Sequence, residues 1–211
     1  MIPNVENVRD LGVTLTNNLK WDVYVEKVRS KANRLCHIIS HTFSSVNVQL
    51  QVNLYKTYVR PTLEYNTCTW SPYLASDIKA AESAQRRFTR ILCQKANISF
   101  TNYCDRLAKL NLESLKGRRL KNDLILVYKI LNNLVDINSS DMFHLNTLGY
   151  HNLRRHNLQI SRKRPPTSQI RNNFFSFRVI KHWNKLPTSI IESPTLSIFK
   201  HRLRDWSTDS S

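Results

Sequence analysis

Apolar positions recur along this chain with a helical period. Between Asn47 and Leu92, Val48, Val52, Tyr55, Val59 and Leu63 are spaced by three and four, which puts them on one face of an α-helix. Pro61 lies inside that pattern. It removes a backbone donor, and a kink is predicted there. Trp70, Pro72 and Tyr73 predict a stiff turn, and Ser76 predicts the N-cap of a second helix. In that helix Ile78, Ala81, Gln85, Phe88 and Leu92 form the inward stripe, while Lys79, Arg86 and Arg90, with Arg87 beside them, form the back. The stretch from Trp21 to Ser44 is the clearest helix: Val25, Val28, Ala32, Leu35 and Ile39 face inward, and Lys27, Lys31 and Arg34 lie away from them. Three amphipathic helices in succession predict a bundle, because each stripe must be buried against another.

The rest of the pattern is weaker. Val8 to Leu15 predicts a short strand and turn around Leu11 and Gly12. A short helix is predicted with Tyr103, Leu107 and Leu110 on one side. A longer one from Ser114 to Leu134 has Leu120, Leu124, Val127, Leu131 and Leu134 as its seam. Lys116, Arg118, Arg119 and Lys121 crowd its first turns, where cations oppose the helix dipole; a phosphate ligand and a solvated face are both open readings. Residues 136–173 read as a linker and a basic loop. Phe174 to Lys185 returns to a helical pattern, with Phe175, Val179 and Trp183 facing inward. Ser193 and Pro194 predict the N-cap and first position of a final helix with Leu196, Phe199 and Leu203 on its inner face. The fold class is therefore mostly α, a helical bundle followed by a smaller, basic, partly irregular helical region. Its divisions are 1–20, 21–135, 136–173, 174–206 and a fraying tail at 207–211.

Charge changes the picture. Lys and Arg number 32 against 15 acids, a formal net charge of +17 on 211 residues. Residues 151–211 hold 12 of the cations and 3 of the acids, so +9 of the surplus sits in the last 61 residues. Solubility does not need so large a surplus, and self-repulsion disfavours a compact chain. A polyanionic partner is the implied reason. The candidate contacts are Arg86, Arg87 and Arg90 first, then Lys27, Lys31 and Arg34, then Arg162, Lys163 and Arg164. Cations at helical spacing contact phosphates without reading sequence. No apolar run reaches the ~20 residues that span a bilayer. The four cysteines have no disulfide-framework spacing, which implies a reducing intracellular compartment, nucleus or cytoplasm.

Four short motifs stand in the central stretch: Leu54-Tyr55-Lys56, Arg60-Pro61-Thr62-Leu63-Glu64-Tyr65, Trp70-Ser71-Pro72 and Gln85-Arg86-Arg87. Together with VRDLGVTLTNNLKW before them and RNNFFSFRVIKHWNKLP and SPTLSIFKHRLRDW after, they resemble the region that follows the polymerase palm in reverse transcriptases of LINE-type non-LTR retrotransposons, the jockey-like branch especially. The resemblance covers nearly the whole chain. It implies a palm edge at residues 1–20, with Leu11 and Gly12 at the place of the primer grip. A thumb-like bundle and a C-terminal region would follow. The implied partners are RNA and DNA, as template-primer duplex, and the palm and fingers of a parent polymerase. No membrane and no small-molecule substrate is implied.

The chemistry of polymerisation is not legible in the residues. Two-metal catalysis needs clustered carboxylates, and the chain has no Asp-Asp pair. No catalytic residue and no cofactor is expected; Mg would belong to the palm. Three glycines cannot build a phosphate loop. No Cys-x-x-Cys pair suggests zinc. His37 and His41, one turn apart with Cys36 beside them, are a candidate metal group, although semi-buried polar helix residues account for them as well. The sequence thus points to a nucleic-acid-binding part of an RNA-directed DNA polymerase that is not an enzyme on its own. A stand-alone nucleic-acid-binding protein derived from a retroelement, and a pseudogene product without a role, stay open.

Overall fold

The computed structural model describes residues 5–43, 47–145, 158–161 and 168–206. The chain is mostly helical and divides into two compact units, Met1–Arg119 and Leu120–Ser211.

The first unit opens with an antiparallel hairpin of β1 (Asn7–Asp10) and β2 (Val13–Thr16), in register Asp10 to Val13 and Asn7 to Thr16. Its two-residue turn is Leu11-Gly12, with φ of 44° and 86°. Positive φ at both positions is what a type I′ hairpin turn demands. Leucine is poorly suited to that region; Tyr65 Oη holds it by donating to the Leu11 carbonyl at 2.9 Å.

Helix α1 (Asp22–Thr42) buries Val25, Val28, Ala32 and Ile39, close to the predicted seam, and Leu35 is half-buried. It packs on α4 (Ala75–Lys95) and along the segment made of α2 (Val48–Leu54), a π-helical turn (Tyr55–Val59) and α3 (Arg60–Glu64). The π-turn is how the chain accommodates Pro61. Proline offers no N–H to the turn before it and crowds the carbonyl there. The Arg60 N–H reaches back five residues to the Tyr55 carbonyl, so one extra residue is absorbed ahead of the ring. Val52, Tyr55, Val59 and Leu63 are all buried despite the irregularity. Trp70 is fully buried, donates its indole N–H to the Tyr65 carbonyl at 2.7 Å, and meets Tyr24 edge to face at 5.0 Å.

Two helix starts differ from the sequence reading. Helix α4 begins at Ala75 with Leu74 as its cap, and Ser76 instead donates to Asp77. The last helix is capped by Thr195 and not by Ser193. Ser193 is buried, with its hydroxyl on the Ile190 carbonyl and its own carbonyl taken by Tyr128 Oη. In both places several residues could cap, and the packing of the approaching chain selects among them.

Helix α5 (Tyr103–Lys109) is capped by Asn102 and buries Tyr103, Arg106 and Leu107. Helix α6 (Leu115–Leu131) runs through the division between the units. The sequence reading ended the first helical region at 135; the compact units divide at Arg119 and Leu120. The reason is that Leu124, Val127, Tyr128 and Ile130 share a core with the C-terminal helices. Helix α6 also stops earlier than the expected Leu134. Asn133 takes a φ of 54°, the Leu134 N–H returns to the Lys129 carbonyl, and Leu134 is 53 % exposed. Asparagine tolerates this left-handed turn, which ends helices.

In the second unit, α7 (Ser139–Met142), a two-residue pair of β3 (His144–Leu145) with β4 (Ile160–Ser161), and α8 (Gln169–Asn172) lie in the stretch read as linker and loop. The helix expected over 174–185 is divided into α9 (Phe175–Arg178) and α10 (Ile180–Trp183). Helices α11 (Thr188–Ile191) and α12 (Leu196–Asp205) follow. Trp183 is fully buried, with its indole N–H on the Leu158 carbonyl at 2.8 Å, and Phe199 stacks on Tyr128 at 4.3 Å. Arg178 forms a two-pronged pair with Asp123 at 2.8 and 2.9 Å.

Candidate nucleic-acid interface

Ion pairing sorts the cations. Arg29 is held by Glu26, Arg60 and Arg118 by Glu64, Lys109 by Asp105, and Arg178 by Asp123. The six described candidates, Lys27, Lys31, Arg34, Arg86, Arg87 and Arg90, are all exposed. None of the six has a carboxylate partner among the described residues. Arg162, Lys163 and Arg164 lie outside the described residues.

The six do not make one continuous face. Arg87 stands close enough to Cys36 of α1 for its charge to pull the thiol pKa down. Burial outweighs that pull, and the thiol is pushed up to about 12. At about 100° per residue, Lys27, Lys31 and Arg34 stand roughly 140–200° around α1 from Cys36. They therefore occupy the opposite flank of that helix from the side Arg87 approaches. Arg86 turns the other way, toward α5, and lies over the Tyr103 ring at 4.0 Å. A guanidinium seated on an aromatic face is pre-positioned by cation–π attraction.

A buried polar network fixes that ring. Tyr103 Oη donates to Glu82 Oε1 at 2.6 Å and accepts from Gln85 Nε2 at 2.9 Å. Gln85 Nε2 also donates to the Glu113 carbonyl, and Gln85 Oε1 accepts from Tyr55 Oη at 2.9 Å. Glu82 in turn accepts from the backbone N–H groups of Leu115 and Lys116. Burial, then the neighbouring Glu82 charge, drives the Tyr103 pKa well above the ordinary phenol range. The phenol stays protonated and keeps donating.

The same network answers the question of the α6 cations. Glu82 places a carboxylate at the α6 N-terminus, where the dipole favours it. Arg118 is paired with Glu64 and lies 3.8 Å from Glu113. The Ser114 hydroxyl accepts from the Gly117 N–H. Anions from α3 and α4 thus offset the cations of this first turn, and Lys116 is the one of the four cations there that is exposed. The sequence carried a signal of this network: Gln85 sits on an otherwise apolar stripe, and a polar side chain there must have buried partners. Glu82, three residues earlier, is one of the groups that meet them.

Leu11 and Gly12 form the hairpin tip, where Leu11 is 79 % exposed. His37 and His41 are exposed, with ring centroids 4.0 Å apart. Among the described residues no group of three or more His, Cys, Asp or Glu side chains converges as a metal site, and no helix is long and apolar enough to cross a membrane. All four cysteines are free.

No family model matches the chain, and no solved structure matches it. An uncharacterized protein of Caenorhabditis elegans is 32% identical over 124 residues, 59% of this chain. The matched stretch spans 63% of that relative's length, less than two thirds.

Proposed function

We propose that this chain is the post-palm part of a LINE-type reverse transcriptase and that it grips nucleic acid, template-primer duplex above all, through backbone phosphates. The observation that carries the reading is the sorting of the cations. Among the described residues Arg29, Arg60, Lys109, Arg118 and Arg178 are paired with carboxylates, whereas the six candidates on α1 and α4 are exposed and, like Lys79 and Lys95, have none. The four motifs of the central stretch and the segment VRDLGVTLTNNLKW support the family reading, in which Leu11 and Gly12 would stand at the primer grip. The chain's own residues supply grip and not catalysis in this reading. Exposed cations on helix faces follow the shallow groove of an A-form-like hybrid by shape and charge.

The test is a salt titration of RNA–DNA hybrid binding. Changing Arg86, Arg87 and Arg90 to Ala removes three contacts. The slope of log K against log salt should become shallower by up to roughly 3, while stability hardly changes, because exposed charges contribute little to folding. A triple variant that keeps the parent's slope would show that these three arginines are only solvated surface.

A further inference from the structure

Arg106 is a buried cation of a different kind. Arg60, Arg118 and Arg178 each meet a carboxylate. Arg106 is 8 % exposed and meets none among the described residues. Its Nε donates to the Thr89 hydroxyl at 3.4 Å, and its guanidinium lies 4.7 Å from the Phe100 ring centre and 5.4 Å from that of Tyr103. Its two amino groups keep contact with solvent and find no acceptor among the described residues. Asp105, the adjacent acid, is committed to the Thr101 N–H and to Lys109. Glu82 is committed to the Tyr103 phenol and to the α6 N-terminus.

The Tyr103 ring therefore carries two guanidinium groups, Arg86 at 4.0 Å and Arg106 at 5.4 Å. Arg90 follows one turn after Arg86 on the exposed side of α4. A guanidinium that is nine-tenths buried and has no carboxylate partner among the described residues, with a second guanidinium on the same ring, is a place that an anion would stabilise. A guanidinium fork matches phosphate oxygens two at a time, and an aromatic floor holds the fork in orientation.

We propose that Arg86 and Arg106, with Arg90 one turn along, form a phosphate-binding site in the seam between α4 and α5, floored by Tyr103, which takes neighbouring backbone phosphates of a bound nucleic acid. The proposal rests on the nucleic-acid reading above and adds to it a residue, Arg106, that the charge pattern of the sequence does not single out.

Two measurements on the full chain test it. The first is the salt titration of hybrid binding for Arg106→Gln and Arg106→Lys. The Gln variant should lose about 1 from the slope. The Lys variant should keep the slope but bind several-fold more weakly, since it keeps the charge and loses the fork. The second is the rate at which phenylglyoxal modifies Arg86, mapped by peptide mass with and without inorganic phosphate, and with Arg34 as internal control. Phosphate should protect Arg86 and leave Arg34 unchanged. A parent that binds hybrid, with a folded Gln variant of unchanged slope and no protection of Arg86, overturns the site and leaves the nucleic-acid reading standing. A parent that binds no hybrid while phosphate protects Arg86 keeps the site as a free-phosphate site and overturns its assignment to nucleic acid. If the Gln variant does not fold, the Lys variant and the protection of Arg86 decide.

Discussion

Trp183 shows how much of the second unit hangs on one side chain. Its ring is fully buried beside Phe199, and its N–H satisfies the Leu158 carbonyl. Replacing it by Ala removes the packing and leaves that carbonyl without its partner. The expected cost is about 3–5 kcal/mol, read as a lower denaturant midpoint with the C-terminal residues losing protection first. A loss well under 1 kcal/mol would mean that the ring is not packed as described. Asn184, the next residue, uses its amide in the manner of a paired strand: Oδ1 accepts from the Ile160 N–H and Nδ2 donates to the Ile160 carbonyl, at 3.0 and 2.9 Å. Two consecutive side chains thus tie the segment at 158–160 to α10. At this scale the described candidate cations are exposed and have no carboxylate partner among the described residues, whereas Arg60, Arg118 and Arg178 are half-buried and paired.

Among the elements, α5 is short and depends on its first turn. Asp105 accepts from the Thr101 N–H at 2.9 Å and from Lys109 Nζ at 3.1 Å. The Thr101 N–H, then Lys109, holds its carboxyl below the ordinary value of 3.8. A folded pKa below the unfolded one means that the stabilisation is fully present above the unfolded value. It is lost as pH falls through the folded one. Asp105→Asn should therefore be less stable than the parent at about pH 6, and the gap should close toward about pH 2, followed by urea midpoints. An equal gap at both ends would show that charge has no part in it. The same helix carries Tyr103 and Arg106, so its stability bears on the proposed phosphate site as well as on the fold. The π-turn makes a related point. It leaves Tyr55 fully buried, stacked on Phe88 at 4.6 Å and bonded to Gln85, and so joins the polar network to the helix that contains Pro61.

For the molecule as a whole, a net charge of +17 means that the proposed binding should show steep salt dependence and little sequence preference. Arg60 is the useful contrast to the α4 arginines. It lies 3.6 Å from Glu64, which also holds Arg118, so Arg60→Ala is expected to act on the fold more than on the salt slope. The chain has no paired aspartates to hold two metals. Pure protein given template, primer, Mg²⁺ or Mn²⁺ and nucleotides should extend nothing. Template-dependent incorporation above a blank would end the post-palm reading.

The sequence by itself determined the long helices of the first unit and their inward stripes, because a helical period repeated over five or six turns has one solution that buries every apolar member. It also determined which cations face outward on α1 and α4, since residues opposite a buried stripe must face solvent. Caps and ends were less legible. Ser76 and Ser193 are good caps by residue type, yet Leu74 and Thr195 hold those positions, and Asn133 ends α6 before Leu134. A local preference of about 1 kcal/mol is easily overridden by packing. Only the tertiary structure decided the rest. It placed the unit division inside α6, where the apolar face is shared out between two cores. It brought Glu82, Gln85, Tyr103 and Tyr55 from three segments into one network. And it seated Arg86 of α4 on the Tyr103 ring of α5. These are contacts between different helical segments, 17 to 34 positions apart. No period or composition encodes them, because they depend on the angles at which packed helices meet.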